Sequence, residues 1–143
     1  MLLLLMPEQI SRYWEDIKEG LSRALPPGPS DREVKILTGL QIGYMQCWVS
    51  YRKETNGTVV DGAVVTALIN DQVHGTRNLL LYALWAVEDT HKTTWDEGIE
   101  ALRKFAKGKG CNRVVGYTDQ ELVIGLCRAT GGEARYTFCT WDV

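Results

Sequence analysis

The fold is decided by residues 78–110, NLLLYALWAVEDTHKTTWDEGIEALRKFAKGKG, where a long apolar run is followed by an amphipathic segment. Residues 79–87 show no alternation of polar and apolar side chains, which is typical of a central strand covered on both faces. Thr94 and Glu97 form a Thr-x-x-Glu capping box, a pattern that predicts a helix start. The helix carries one apolar stripe, formed by Trp95, Ile99, Leu102, Phe105 and Ala106. The stretch therefore predicts a buried strand, a short loop and a helix, with the loop placed where many α/β proteins bind an anion.

The composition is that of an ordinary globular protein: the 143 residues are 45% hydrophobic and 24% charged, with a net charge of −2. This length suits a single domain over residues 1–143. The chain has no basic stripe, so we expect no nucleic-acid partner. The four cysteines lack metal-ligand spacing, which argues against zinc and favours reduced thiols in the cytoplasm. The apolar start MLLLLM is too short for a signal peptide or a membrane span, so we expect a first strand there and no membrane partner.

The remaining elements follow from periodicity and turn signals. The Asn56-Gly57 pair is the strongest hairpin signal in the chain. Ser30 with Glu33 forms a second capping box, and Asp119 is placed to cap the last helix. We predict strands over residues 2–6, 45–52, 59–69, 79–87, 113–118 and 136–143. Helices are predicted over residues 7–25, 30–40, 94–107 and 119–130. The predicted order is β-α-α-β-β-β-α-β-α-β, an α/β fold with a central mixed sheet and helices on both faces.

Element order and several short motifs together resemble a known superfamily. The motifs are PEQI after the first strand, MQCWV followed by DGAVVT, KGCN after the amphipathic helix, and LCRATGG near the end. Together with the element order they resemble the GNAT superfamily of N-acetyltransferases over nearly the whole chain. Within it, the chain looks most like the small GNAT-like proteins of tailed bacteriophages.

The resemblance points to a loop for coenzyme A. GNAT enzymes have Arg/Gln-x-x-Gly-x-Gly/Ala after strand four, and its glycines let backbone amides approach the coenzyme pyrophosphate. The corresponding loop here, EDTHKTT from Glu88 to Thr94, has no glycine and begins with two carboxylates that repel phosphate. A solvated loop before a capped helix is the simpler interpretation, and Lys92 with the helix-start amides at Trp95 and Asp96 offers the alternative, an anion site. If acetyl-CoA binds, the resemblance implies contacts with Ala86, Val87, Glu88, Lys92, Thr94 and Trp95.

The resemblance also implies two catalytic positions. GNAT enzymes use a tyrosine in a Leu-Tyr-x-x-x-Gly context as the general acid on the departing thiolate. Here LCRATG places Cys127 at that position, where a small packing residue is the simpler interpretation. Glu88 lies where a general base is often found, although a solvated strand end explains it as well. If the protein is active, Glu88 and Cys127 are the catalytic candidates, and no metal is expected.

Two functions stay open at this point. The missing glycines and the missing tyrosine favour a GNAT-fold protein without acetyltransferase activity or cofactor, acting as a binding or structural component of a tailed-phage particle or its assembly. The alternative is an active acetyl-CoA-dependent N-acetyltransferase with a degenerate coenzyme loop. We expect a protein partner or self-association through the last strand, from Tyr136 to Val143, because an open sheet edge invites pairing. The expected location is the host cytoplasm or the virion.

Overall fold

A computed structural model describes residues 1–86 and 92–143, with Lys92 described by its backbone alone. The strands are β1 (Leu2–Leu4), β2 (Met45–Glu54), β3 (Gly57–Asp71), β4 (Thr76–Ala86) and β5 (Arg113–Gly116). The helices are α1 (Pro7–Arg12), α2 (Trp14–Ala24), α3 (Arg32–Ile42), α4 (Lys92–Gly108) and α5 (Glu121–Ala129). The order is β-α-α-α-β-β-β-α-β-α, a mixed α/β fold as predicted. It has one more helix than expected and lacks the predicted last strand.

The five strands form one sheet in the order β1-β2-β3-β4-β5. Strands β1 to β4 pair antiparallel, and β4 pairs with β5 in parallel through the crossover helix α4. The apolar run of β4 is therefore an interior strand between β3 and β5, as the sequence predicts. The β2–β3 hairpin is also confirmed: Glu54 pairs with Gly57, and Gly57 has φ +130°.

Helices cover both faces of the sheet, which confirms the predicted layers. On one face α1, α2 and α3 bury a cluster that includes Ile10, Leu21 and Val65. On the other face α4 buries a second cluster, in which Trp48 packs edge-on against Phe105 with ring centroids 5.0 Å apart. Leu102 and Ala106 of the predicted apolar stripe belong to this cluster. Within the described ranges, no helix is long and apolar enough to span a membrane.

The predicted last strand, from Tyr136 to Val143, is wrong. Residues 131–143 form neither helix nor strand, and the large side chains of Tyr136, Phe138 and Trp141 are 91%, 67% and 83% exposed. Alternation of apolar and polar residues favours a strand only where a partner strand accepts its backbone hydrogen bonds. The described part of this chain supplies no such partner to this segment.

Three predicted helix starts are wrong. Helix α4 has already begun at Lys92, so Thr94 lies in its first turn and is not the N-cap. Asp31, not Ser30, precedes α3, where the amide of Arg32 already bonds to the carbonyl of Pro29 at 3.1 Å. Gln120, not Asp119, precedes α5, because the hydroxyl of Thr118 accepts the Gln120 amide at 3.1 Å and sets the turn one residue later. The first predicted helix is also divided, at Tyr13.

Candidate functional site

Strand β5 pairs with only part of β4, and the two strands separate halfway along β4. We call the resulting gap, beside residues 82–86 of β4, the notch. Their parallel pairing covers only Asn78 to Leu81 on β4 and Arg113 to Gly116 on β5. Strand β4 continues to Ala86, five residues past the last pair. Ladder hydrogen bonds to β5 are therefore missing along residues 82–86, and the backbone polar groups on that edge need another partner. In parallel α/β sheets, ligands bind in such crevices at the carboxyl ends of strands.

A β-bulge lies at the base of this notch. On β3, Val65 pairs with Ala83 and Thr66 pairs with Leu81, so Tyr82 is an extra residue in β4. A bulge leaves the extra residue unpaired and increases the local twist. Because the pairing with β5 ends at the adjacent Leu81, the bulge and the point of separation coincide. Within the described residues, both interruptions of the strand pairing therefore lie at one place in the sheet.

Beside the carboxyl end of β4, a small apolar cavity of about 60 Å³ lies between the sheet and α4. Three of the predicted coenzyme contacts line it together: Ala86, Thr94 and Trp95. Ser50 and Thr94 are the two hydroxyl-bearing residues of its lining, which is otherwise apolar. Two further predicted contacts, Val87 and Glu88, lie outside the described residues, and Lys92 is the first residue of α4.

On the opposite face, the end of β4 is fixed by Trp85. Its indole lies directly on Gly20 of α2, so close that a Cβ atom at Gly20 would overlap the ring. Trp85 packs against the cluster under α1 to α3. This indole is thus held by the core on that face.

The candidate general acid, Cys127, lies on α5 and is half-buried. Its thiol points to the chain that follows the helix, with Sγ 3.8 Å from the carbonyl oxygen of Glu133. Cys127 does not line the cavity that holds Ala86, Thr94 and Trp95. The two parts of the predicted site therefore do not meet at this cavity within the described residues.

Sequence reasoning missed two buried polar residues at a second bulge. Ser50 pairs with Gly62 and Tyr51 pairs with Val60, so Asp61 is the extra residue on β3. Asp61 is only 3% exposed, and its Oδ1 and the Ser50 hydroxyl have no hydrogen-bond partner among the described residues. Such groups are costly to bury. A sequence signal exists, since Asp61 interrupts the apolar run of residues 59–65, VVDGAVV, just before a glycine.

No metal site is formed by the described residues, which contain no group of three or more His, Cys, Asp or Glu side chains with suitable spacing. His74 has a nearby carboxylate: its Nδ1 lies 2.9 Å from Asp71 Oδ2 in the exposed β3–β4 turn. Hydrogen bonds from His74 hold the pKa of the Asp71 carboxyl below its usual value. This pair organises a surface turn and is separate from the notch.

Solved acetyltransferase structures share this fold over nearly their whole length. A probable acetyltransferase superposes with a TM-score of 0.72 at 10% identity, covering 100% of this chain and 96% of the other. The aminoglycoside acetyltransferase AAC(6')-Iy, bound to a CoA-S-monomethyl-acetylneamine bisubstrate analogue, gives 0.72 at 15% identity, covering 100% and 97%. A ribosomal-protein-alanine N-acetyltransferase from Brucella melitensis gives 0.66 at 14% identity, covering 100% and 99%.

At these identities the likeness shows the fold alone, and that fold is the GNAT fold the sequence predicts. No protein-family model matches the sequence, and no curated protein matches it. The predicted likeness to phage proteins stays a prediction.

Proposed function

We propose that this protein binds acyl-coenzyme A in the notch between β4 and β5 and transfers the acyl group to an amine. The observation that carries the proposal is the coincidence of the Tyr82 bulge with the end of β5 pairing at Leu81. The whole-length similarity to acetyltransferases, one of them solved with a CoA-based bisubstrate analogue, supports this function over the non-enzymatic role that the loop sequence predicts.

The chemistry of the notch fits an extended amide-bearing ligand. The pantetheine arm of coenzyme A contains two amides, and such a chain can add to a strand edge by main-chain hydrogen bonds, as peptides do. Residues 82–86 supply an edge of this kind. Backbone N–H groups that are fixed in place also stabilise the negative charge that develops on an acyl oxygen. In this proposal the bulge at Tyr82 serves that purpose.

The phosphate end would lie beyond Ala86, near the start of α4. The first turn of any helix presents N–H groups that its own carbonyls cannot accept, and these favour anions. Thr94 and Trp95 belong to this first part of α4 and lie next to Ala86 at the cavity. Glu88 and Asp89 add negative charge to the connecting sequence, so we expect binding to be weaker than a glycine-containing, basic loop would give.

Calorimetric titration with acetyl-CoA tests the binding step. Two substitutions of opposite charge at the exposed Ala86 make the test more specific. Ala86→Asp should weaken acetyl-CoA binding about fivefold, and Ala86→Lys should strengthen it by a similar factor. Each factor corresponds to a change of about 1 kcal/mol in the binding free energy. Both effects should shrink in high salt. The same two changes at exposed Val73, in the distant β3–β4 turn, should leave affinity unchanged. Absence of binding, or equal effects at the two positions, would refute the proposed site.

Release of free thiol from acetyl-CoA, measured with a broad panel of amines, tests the transfer step. Turnover that is lost in a Cys127→Ala variant would assign the general acid to Cys127, whereas turnover that persists would exclude it. Amine-dependent turnover is the outcome expected for a transferase.

A second candidate function is a GNAT-fold binding component without transfer activity, such as a part of a phage particle. Two observations favour it: the Cys127 thiol is directed at the Glu133 carbonyl, and the sequence from Glu88 to Thr94 contains no glycine. Binding of acetyl-CoA without turnover on any amine, or no binding at all, would favour this candidate. Detection of the chain by mass spectrometry in purified virions would identify it as a component of the phage particle.

A further inference from the structure

Tyr117 is the first residue after β5, and it lies at the closed end of the notch, where β4 and β5 separate. The last parallel pair joins Leu81 to Gly116. Tyr117 and the bulged Tyr82 follow that pair, one on each side of the gap. Gly116 lies against Leu81 on the face that α4 covers. Because side chains alternate along a strand, Tyr117 belongs to the opposite face, where Tyr82 also packs.

The ring of Tyr117 is positioned by the C-terminal segment, residues 133–143. Phe138 packs on it with ring centroids 4.8 Å apart and ring planes tilted by 36°. The segment is in turn attached to α5, because the Arg128 guanidinium donates to the Ala134 carbonyl at 3.3 Å. Tyr117 nevertheless stays 65% exposed, and its hydroxyl has no hydrogen-bond partner among the described residues. The phenol is thus oriented through its ring and available to a ligand in the notch.

We propose that Tyr117 is the general acid of the acyl transfer, an inference that rests on the proposed function. Attack of an amine on a thioester expels an alkyl thiolate, and a positioned proton donor accelerates that departure. The Cys127 thiol is directed at the Glu133 carbonyl instead. Tyr82 is less suitable than Tyr117, because its ring packs against the core under α1 to α3. Tyr117 is therefore the exposed donor beside the bulge at which the acyl carbonyl is proposed to bind.

The step balances without any further reactant. The amine nitrogen forms a bond to the thioester carbonyl carbon, and the carbon–sulfur bond then breaks with its electron pair passing to sulfur. The Tyr117 hydroxyl gives its proton to that sulfur, so free coenzyme A leaves as the thiol. The resulting phenolate takes up the proton that the new amide nitrogen releases. The phenol is thereby restored, and only the thioester and the amine are consumed.

Steady-state kinetics of Tyr117→Phe, which removes only the hydroxyl, tests the assignment. We expect kcat to fall about 100-fold or more, as general acids contribute about 10²–10⁴-fold. The KM for acetyl-CoA should stay within about twofold, because the proton is transferred only in the transition state. Tyr136→Phe is the matched control: Tyr136 is 91% exposed, and its hydroxyl also lacks a partner among the described residues. This variant should keep the wild-type kcat.

The pH profile separates proton donation from a structural effect. The wild-type kcat should decrease at alkaline pH, where a phenol loses its proton, and Tyr117→Phe should lack this decrease. Phe138 is a positioning residue in this scheme, since it contacts the Tyr117 ring. Phe138→Ala should therefore lower kcat about tenfold without changing KM. Phe138→Tyr, which keeps a ring at that position, should retain the wild-type kcat.

Nuclear magnetic resonance with ring-labelled tyrosine provides a readout that does not depend on turnover. Free coenzyme A, the product, should shift the Tyr117 ring signals and leave those of Tyr136 unchanged. Equal kcat values for Tyr117→Phe and the wild type would overturn this inference alone. So would a loss of activity in Tyr82→Phe that Tyr117→Phe does not show. A wild-type protein that fails to bind acetyl-CoA, or binds it without transfer to any amine, would overturn the proposed function and this inference together.

Discussion

Replacing Thr66 by valine should destabilise the protein by about 2–6 kcal/mol, although the two side chains have nearly the same shape. Thr66 is fully buried on β3, and its hydroxyl joins two other buried polar groups. The indole Nε1 of Trp48 donates to Thr66 Oγ1 at 3.0 Å, and Thr66 Oγ1 donates to Gln46 Oε1 at 2.8 Å. Gln46 Nε2 donates in turn to the Gly43 carbonyl at 2.9 Å. The chain of bonds ties β2 to β3 beneath α4.

The magnitude follows from the groups that valine leaves unpaired. No cavity is created, so the cost is that of two buried polar atoms, Trp48 Nε1 and Gln46 Oε1, each worth about 1–3 kcal/mol. Urea unfolding followed by circular dichroism measures it, and an unchanged m-value would show that the unfolded state is unaffected. Thr38→Val is the matched control. Its exposed hydroxyl bonds only to the Val34 carbonyl one helical turn earlier, so a loss below about 0.5 kcal/mol is expected.

A Thr66→Val loss below about 1 kcal/mol, or one equal to that of Thr38→Val, would refute this account of the buried network. A double-mutant cycle with Trp48→Phe isolates the hydrogen bond between the Trp48 indole and the Thr66 hydroxyl. Only the wild-type protein contains this bond, so the coupling energy of the cycle measures it. Additive effects of the two substitutions would mean that the hydroxyl and the indole do not interact.

Three further predictions concern packing and reactivity. Gly20→Ala should lower the melting temperature, since its Cβ overlaps the Trp85 indole and overpacking costs about 1–3 kcal/mol; Gly125→Ala, with open space in α5, should instead raise stability by about 0.5–1 kcal/mol. Leu102→Ala should cost about 2–5 kcal/mol in urea unfolding, because Leu102 is buried between α4 and the sheet, and a loss below about 1 kcal/mol would mean that the helix stripe is misassigned. Burial raises the pKa of the Cys47 thiol to about 12, so it stays protonated at mildly alkaline pH and should react with iodoacetamide only after unfolding, as peptide mapping would reveal.

Local patterns in the sequence determined most of the fold. The unbroken apolar run of β4 identified an interior strand, because a strand covered on both faces is apolar at every position. The apolar stripe that includes Leu102 identified the covering helix, because a helix buried on one face is apolar at every third or fourth position. The Asn56-Gly57 pair identified the β2–β3 hairpin for a similar reason, since few residue pairs suit a tight turn. Element order then restricted the topology, because a strand–helix–strand unit must be parallel and right-handed.

Tertiary structure alone decided the site and the C-terminal segment. The notch depends on where β5 stops pairing, at Gly116, and on a bulge at Tyr82, and neither is encoded by a local periodicity. The segment after Tyr136 alternates as a strand does, yet it forms none, because a strand exists only where another chain segment accepts its hydrogen bonds. Three of the candidate contacts, Ala86, Thr94 and Trp95, share one cavity, while Cys127 bonds elsewhere. Distances between residues far apart in sequence are set by packing, which no window of sequence contains.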